Sequence, residues 1–253
     1  MKILLTGSGF LAKEFIENFK EHSIIKVPRS ILTNRECLKS LIETNKVDCI
    51  IHTSFAGVSD GGSEEDYKFN MNVDDNLHYV SNLVDKVFIF GSGIEYMVPR
   101  DCSRPWYQKS KAIISLKAKH NPKFVNLRLF GCFGKLEESY RFIKRSVHNL
   151  REGKPIVIPQ DRRMDFFYVG DLCDVIRCYL EEKELPRDID CVYPGPSPLL
   201  SEIAKTLIEN YGPDQSIIIE RDGFQEEYTG NCGIESLGIP LKGLDKGIFE
   251  IYG

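Results

Sequence analysis

Long apolar runs are missing from this chain. None approaches the roughly 18 residues that a helical membrane span needs, although 42% of the residues are hydrophobic, enough for a sizeable core. Excess positive charge is missing too: a net charge of −4 gives no electrostatic footprint for nucleic acid or an anionic membrane. Histidine is sparse, and His22, His52, His78, His120 and His148 lie too far apart to write a metal motif or a histidine–acid pair. The eight cysteines (37, 49, 102, 132, 173, 178, 191 and 232) include no Cys-x-x-Cys spacing. Met1 leads directly into an apolar strand pattern rather than a signal peptide, so reduced thiols acting as small hydrophobes in a cytoplasmic protein are expected. Repeats, heptads and low-complexity tracts are also lacking. At 253 residues the chain is expected to form one α/β unit with a modest extension.

What is present centres on the stretch from Lys86 to Lys111. Val87-Phe88-Ile89-Phe90 reads as a buried parallel strand, with Gly91-Ser92-Gly93 at its carboxyl end, where open α/β sheets place their chemistry. Tyr107 and Lys111 are four apart in a helical pattern, so they share a face. A tyrosine phenol, pKa about 10, becomes a usable acid–base group when a lysine cation lies beside it. Ser92 would then hold the oxygen that gains or loses the proton. Taken alone, Tyr-x-x-x-Lys is better described as a solvated helix face, and context has to reverse that.

The start of the chain supplies context. Lys2-Ile3-Leu4-Leu5-Thr6 is a short strand that runs into Gly7-Ser8-Gly9-Phe10-Leu11-Ala12, followed by Phe15, Ile16 and Phe19 at helical spacing. In a dinucleotide turn the first glycine permits the bend and the second lets the backbone approach a pyrophosphate. Ala12 allows the helix to pack on the strand, and the helix N-terminus faces the phosphates. The second strand, Ile24 to Val27, ends in Pro28-Arg29-Ser30 with no acid before Glu36. A carboxylate there would suit NAD, whereas a guanidinium suits a 2′-phosphate, so Arg29 and Ser30 favour NADPH. The other reading of Arg29 is an exposed loop cation.

These motifs resemble those of the extended short-chain dehydrogenase/reductases, in the nucleotide-sugar epimerase, dehydratase and ketoreductase group. Gly91 to Tyr96 is similar to the serine loop of 4-keto-6-deoxysugar reductases, a set that includes GDP-fucose synthase. Tyr107 to Lys111 matches the group's Tyr-x-x-x-Lys. Arg128-Leu129-Phe130-Gly131-Cys132-Phe133-Gly134 and Arg163-Met164-Asp165-Phe166-Phe167-Tyr168-Val169-Gly170-Asp171-Leu172 resemble two further family segments. The resemblance implies a Rossmann-type doubly wound parallel sheet with a smaller α/β substrate-binding lobe. The dinucleotide domain would span 1–134, with 166–195 returning to it, and 135–165 and 196–253 would form the nucleotide-sugar lobe.

It further implies that Ser92, Tyr107 and Lys111 are catalytic, that Tyr107 and Lys111 also meet the cofactor, with Lys111 on the nicotinamide ribose, and that Ser54, Phe55, Ala56 and Asn72 line it. Gly93, Ile94 and Arg163 would meet the substrate, with Arg162 a rival for the diphosphate. Phe55 departs from the small residue usual in the family, and Met164 stands where its arginine often sits. Only 14 residues separate Ser92 from Tyr107, a shorter connection than relatives commonly have. The five lysines of 109–123 read as a solvated face. The implied activity is NADPH-dependent reduction of a nucleotide-linked 4-keto-6-deoxyhexose. The alternatives are an epimerase with tightly held cofactor and a catalytically idle NADP(H)-sensing protein. No metal is assigned, and a homodimer is implied by resemblance only.

Overall fold

The computed structural model describes residues 1–57, 61–97, 105–182, 184–231 and 233–253. Cys102, Cys232 and part of the short connection between Ser92 and Tyr107 lie outside the described residues. The chain divides into two compact units, residues 1–128 with 183–189, and 129–182 with 190–253. Of the 166–195 stretch, 183–189 is the part grouped with the first unit.

The first unit follows the β/α alternation written in its hydrophobic pattern. It runs β1 (Lys2–Thr6), α1 (Phe10–Asn18), β2 (Ser23–Val27), α2 (Arg29–Leu32), α3 (Arg35–Asn45), β3 (Cys49–His52), α4 (Glu64–Val80), β4 (Lys86–Ser92), α5 (Trp106–Lys119) and β5 (Phe124–Leu129). A six-stranded sheet has the order β2-β1-β3-β4-β5-β9, its last strand being Asp188–Asp190. The β1–β2, β1–β3 and β3–β4 pairs are parallel. The order reverses between β1 and β3, which opens a crevice at their carboxyl ends.

Strand alternation sorts the core into two layers. Leu4, Ile50, Val87 and Ile89 cluster with Leu38 and Ile42 of α3, Val73, Leu77 and Val80 of α4, and Ile114 and Ala118 of α5. On the other face Phe90 meets Phe15 of α1, ring centroids 5.5 Å apart. Each fully buried Val, Leu, Ile or Phe side chain among them contributes roughly 1.5–3 kcal/mol. Helix α4 starts where its sequence says: Ser63 Oγ accepts from Asp66 N, and Asp66 accepts in return from Ser63 N, a closed capping box. The helix ends at Val80 and gives way to a 3-10 turn over Ser81–Leu83.

The second unit holds two small parallel pairs, β6 (Gly131–Phe133) with β8 (Phe166–Tyr168), and β7 (Ile156–Asp161) with β10 (Ile217–Phe224). Around them lie α6 (Phe142–Arg151), α7 (Val169–Glu181), α8 (Leu200–Tyr211) and α9 (Gly243–Tyr252). Strand β10 reaches Phe224 by pairing with β7, a tertiary partner that local pattern does not announce. Among the described residues no helix is long and apolar enough to cross a membrane.

Candidate active site

The glycine turn is built by sterics. Gly7 has φ +92°, and a Cβ there would lie 2.6 Å from Thr53 Oγ1 and 3.0 Å from Ser54 N. Only glycine fits. A Cβ on Gly9 would meet nothing within 4 Å, so open space lies over the start of α1. That helix has neither a side-chain cap nor an acid in its first turn. Its leading N–H groups and dipole are therefore available to an anion. Phe10 is buried beneath the turn, Leu11 is half-buried and Ser8 is exposed.

The end of β3 completes the cradle. Thr6 Oγ1 accepts from Thr53 N and Ser54 N at 3.2 and 3.3 Å and lies 2.8 Å from His52 Nδ1. Burial, aided by the Lys111 charge, pushes His52 down to about 3, so it serves this knot as a neutral ring. Ser54 Oγ is buried without a hydrogen-bond partner, although a hydroxyl in that state is costly. The open turn, the uncapped helix and this orphaned hydroxyl fit a dinucleotide. Ala56 N donates to Asn70 Oδ1 at 2.9 Å, and Asn70 Nδ2 lies 3.5 Å from Ser110 Oγ on α5. Asn70 thus joins the β3 loop to α5, while the expected Asn72 is exposed and accepts from Asn76 Nδ2 at 3.3 Å.

Arg29 is the first residue of the one-turn α2 rather than part of a loop. It is exposed, its guanidinium lies 5.1 Å from the Phe69 ring centroid, and no carboxylate pairs with it among the described residues. Ser30 follows it at the surface.

Ser92 closes β4 and caps the turn Gly93–Glu95. Its Oγ accepts from Ile94 N at 3.4 Å, and its N–H donates to Glu95 Oε1 at 2.8 Å. Gln108 Nε2 donates to Ile94 O at 2.9 Å, and also to Met97 O, tying α5 to the serine loop. Tyr107 N donates to Gly61 O at 2.9 Å. One turn on, Lys111 Nζ donates to Phe90 O at 2.6 Å, two residues before Ser92. Phe55 packs edge-on to Tyr107 with centroids 5.4 Å apart and lies face-on to Lys111 Nζ at 3.7 Å. Burial lowers Lys111 to about 8, opposed by the Glu95 charge. The structure therefore brings Ser54, Phe55, Ala56, Ser92, Tyr107 and Lys111 to one end of the sheet.

A support that the sequence reading missed holds the serine loop. Arg128 Nε donates to Glu95 Oε2 at 2.7 Å, and its Nη atoms reach Tyr96 OH at 2.7 Å, Asp188 Oδ1 at 2.8 Å and Ser115 Oγ at 3.0 Å. Two signals were available. Ser92-Gly93-Ile94-Glu95 has capping-box spacing, and an arginine inside the apolar run Phe124 to Leu129 needs a carboxylate once buried.

In the second unit Arg163 Nη1 donates to Ser197 O at 2.6 Å. Arg162 lies with its guanidinium carbon 5.5 Å from the Tyr228 ring centroid. Its Nε is buried without a partner, and burial lowers its pKa. Tyr140 is 65% exposed. His148 pairs with Glu152 at 3.0 Å at the exposed end of α6.

Residues 107–191 match the model of the NAD dependent epimerase/dehydratase family. No curated protein sequence matches the chain. Solved structures share its fold at low identity. A GDP-D-glycero-L-gluco-heptose synthase from Campylobacter jejuni, crystallised with NADPH, aligns with TM-score 0.77 at 18% identity over 99% of this chain and 96% of that one. A GDP-L-fucose synthetase from Naegleria fowleri bound to NADP gives 0.77 at 16% over 99% and 91%. A Thermus thermophilus UDP-glucose 4-epimerase with NAD gives 0.71 at 16% over 100% and 99%.

Proposed function

With residues 107–191 matching the NAD dependent epimerase/dehydratase family, we propose that the chain is an NADPH-dependent reductase acting on a keto group of a nucleotide-linked sugar, a 4-keto-6-deoxyhexose. The observation that carries the reading is the gathering of the Ser92 loop, Tyr107 and Lys111 at the sheet end that also holds the open glycine turn. Gly7 to Leu11, Arg29, Ser30, Ser54 to Ala56 and Lys111 would hold the coenzyme. Bound there, its nicotinamide would supply hydride to a carbonyl carbon. Tyr107 gives its phenolic proton to the oxygen that becomes an alkoxide, and the Ser92 hydroxyl orients that oxygen. The Lys111 ammonium favours the phenolate left behind.

For the substrate's diphosphate we assign Arg162 rather than Arg163. The Arg163 guanidinium already serves Ser197 O, whereas Arg162 holds a cation with an unpartnered Nε and no carboxylate beside it among the described residues. The choice of NADPH rests on Arg29 and is supported by the heptose synthase and fucose synthetase neighbours crystallised with NADPH and NADP. Arg29→Asp is expected to weaken NADPH by about 1–3 kcal/mol while sparing NADH, because a charge-assisted contact becomes a repulsion. Fluorescence titration checks this. Equal affinity of the unaltered protein for both coenzymes would remove the basis for the assignment.

Function itself is tested by following NADPH absorbance against nucleotide 4-keto-6-deoxysugars made in situ. Absence of sugar-dependent oxidation across such a panel would overturn the reductase. The epimerase neighbour with NAD keeps a second reading in view. Exchange beside a ketone needs an acid–base pair beyond the tyrosine, and Ile94 within the serine loop has no proton to exchange. Hydride transfer alone is therefore expected, with neighbouring carbons unchanged. Run in deuterium oxide, the reaction should leave no enzyme-dependent deuterium at the carbons flanking the reduced centre; its appearance would favour epimerisation.

A further inference from the structure

We propose that Phe55 is a positioning residue, whose ring face fixes the Lys111 ammonium in place and in its charged state at the end of β3. The ammonium lies 3.7 Å from the Phe55 ring centroid, well inside the roughly 6 Å within which a cation feels an aromatic face. Lys111 is 8% exposed and donates to one carbonyl, Phe90 O. An ammonium so far from water needs further compensation.

The charged and titratable neighbours do not provide it fully. Glu95 favours the charge, but its carboxylate is committed to Ser92 N and Arg128. His52 on β3 is buried and neutral, and the Tyr107 ring on α5, 5.8 Å from the ammonium, meets it only at the outer limit of that range. Phe55 supplies the missing contact. The ring is itself held, edge-on against Tyr107 at 84° and packed on the cluster beneath α3, α4 and α5. One side chain thereby sets both the phenol and the ammonium. Burial already brings Lys111 to about 8, close to neutral pH, so losing the ring would deplete the ammonium where the enzyme works. A small residue in place of Phe55 leaves the cation without that face.

This inference rests on the reductase reading only for its consequence, and its test is separable. Lysines labelled at Cε are titrated by NMR, with the Lys111 resonance identified by its loss in Lys111→Arg. In Phe55→Leu, which keeps apolar volume without a π face, the midpoint should fall by about one pH unit, whereas Phe55→Tyr should hold it within a few tenths. In the leucine variant NADPH affinity should fall more steeply between about pH 7 and pH 8 than it does in the unaltered protein, because only there does the ammonium titrate away. Phe55→Met supplies the non-aromatic arm if the leucine protein does not fold. Equal midpoints for aromatic and aliphatic variants would overturn the proposal. A shifted midpoint with no NADPH binding by the unaltered protein would uphold the clamp and sink the reductase.

Discussion

Replacing Tyr107 with phenylalanine should lower turnover by on the order of 10² to 10⁴ while leaving NADPH affinity within about twofold. The ring survives the substitution, so its edge contact with Phe55 is kept and only the hydroxyl is lost. That hydroxyl acts on the developing alkoxide, which exists in the transition state and not in the bound coenzyme. The pH profile of the unaltered protein should show the partner's titration. Burial depresses Lys111 from 10.5 to about 8, so the ammonium is present below that pH and lost as pH rises through it, and kcat should fall on the alkaline side. Steady-state kinetics with a 4-keto sugar substrate measure both. Turnover retained in Tyr107→Phe would make the trio a structural arrangement and revive the idle NADP(H)-binding protein.

Where one residue type is forced by local geometry, the sequence could be read directly. The bend after β1 demands a glycine at 7, and helical spacing sends Tyr107 and Lys111 to one face. The end of β4 puts Ser92 at the same edge because parallel strands share a carboxyl side. Pairings distant in sequence were hidden. Glu95 and Arg128 are 33 apart and Arg128 and Asp188 are 60 apart, so neither pair shares a helix turn or hairpin. Phe55 was legible as an odd residue, but its partner Lys111 lies on another element, and the sequence contains no term for a ring facing an ammonium. Arg162 and Arg163 are adjacent and chemically identical, and a single hydrogen bond to Ser197 O separates them. Asn70 and Asn72 differ likewise by which side of α4 meets Ala56.

Arg128→Met should destabilise the first unit by about 3–5 kcal/mol, the usual cost of removing one member of a buried ion pair. The guanidinium is 3% exposed and Glu95 is 6% exposed, so water cannot replace the lost bonds at either end. Asp188, at 26%, can rehydrate, which places most of the penalty on Glu95. Glu95 in turn caps Ser92 N, so the serine loop should loosen with it. Urea unfolding followed by the single tryptophan, Trp106 at the start of α5 in the same unit, reads the change. The double variant Glu95→Gln/Arg128→Met should recover part of the loss, because a neutral amide still caps Ser92 N or remains buried at far lower cost than a lone carboxylate. A structural defect from altered packing at 128 would persist in the double variant. Unchanged midpoints in Arg128→Met would mean that the Glu95–Arg128 pair contributes nothing to the loop, leaving Gln108 to hold Ile94 against α5 by its own hydrogen bonds.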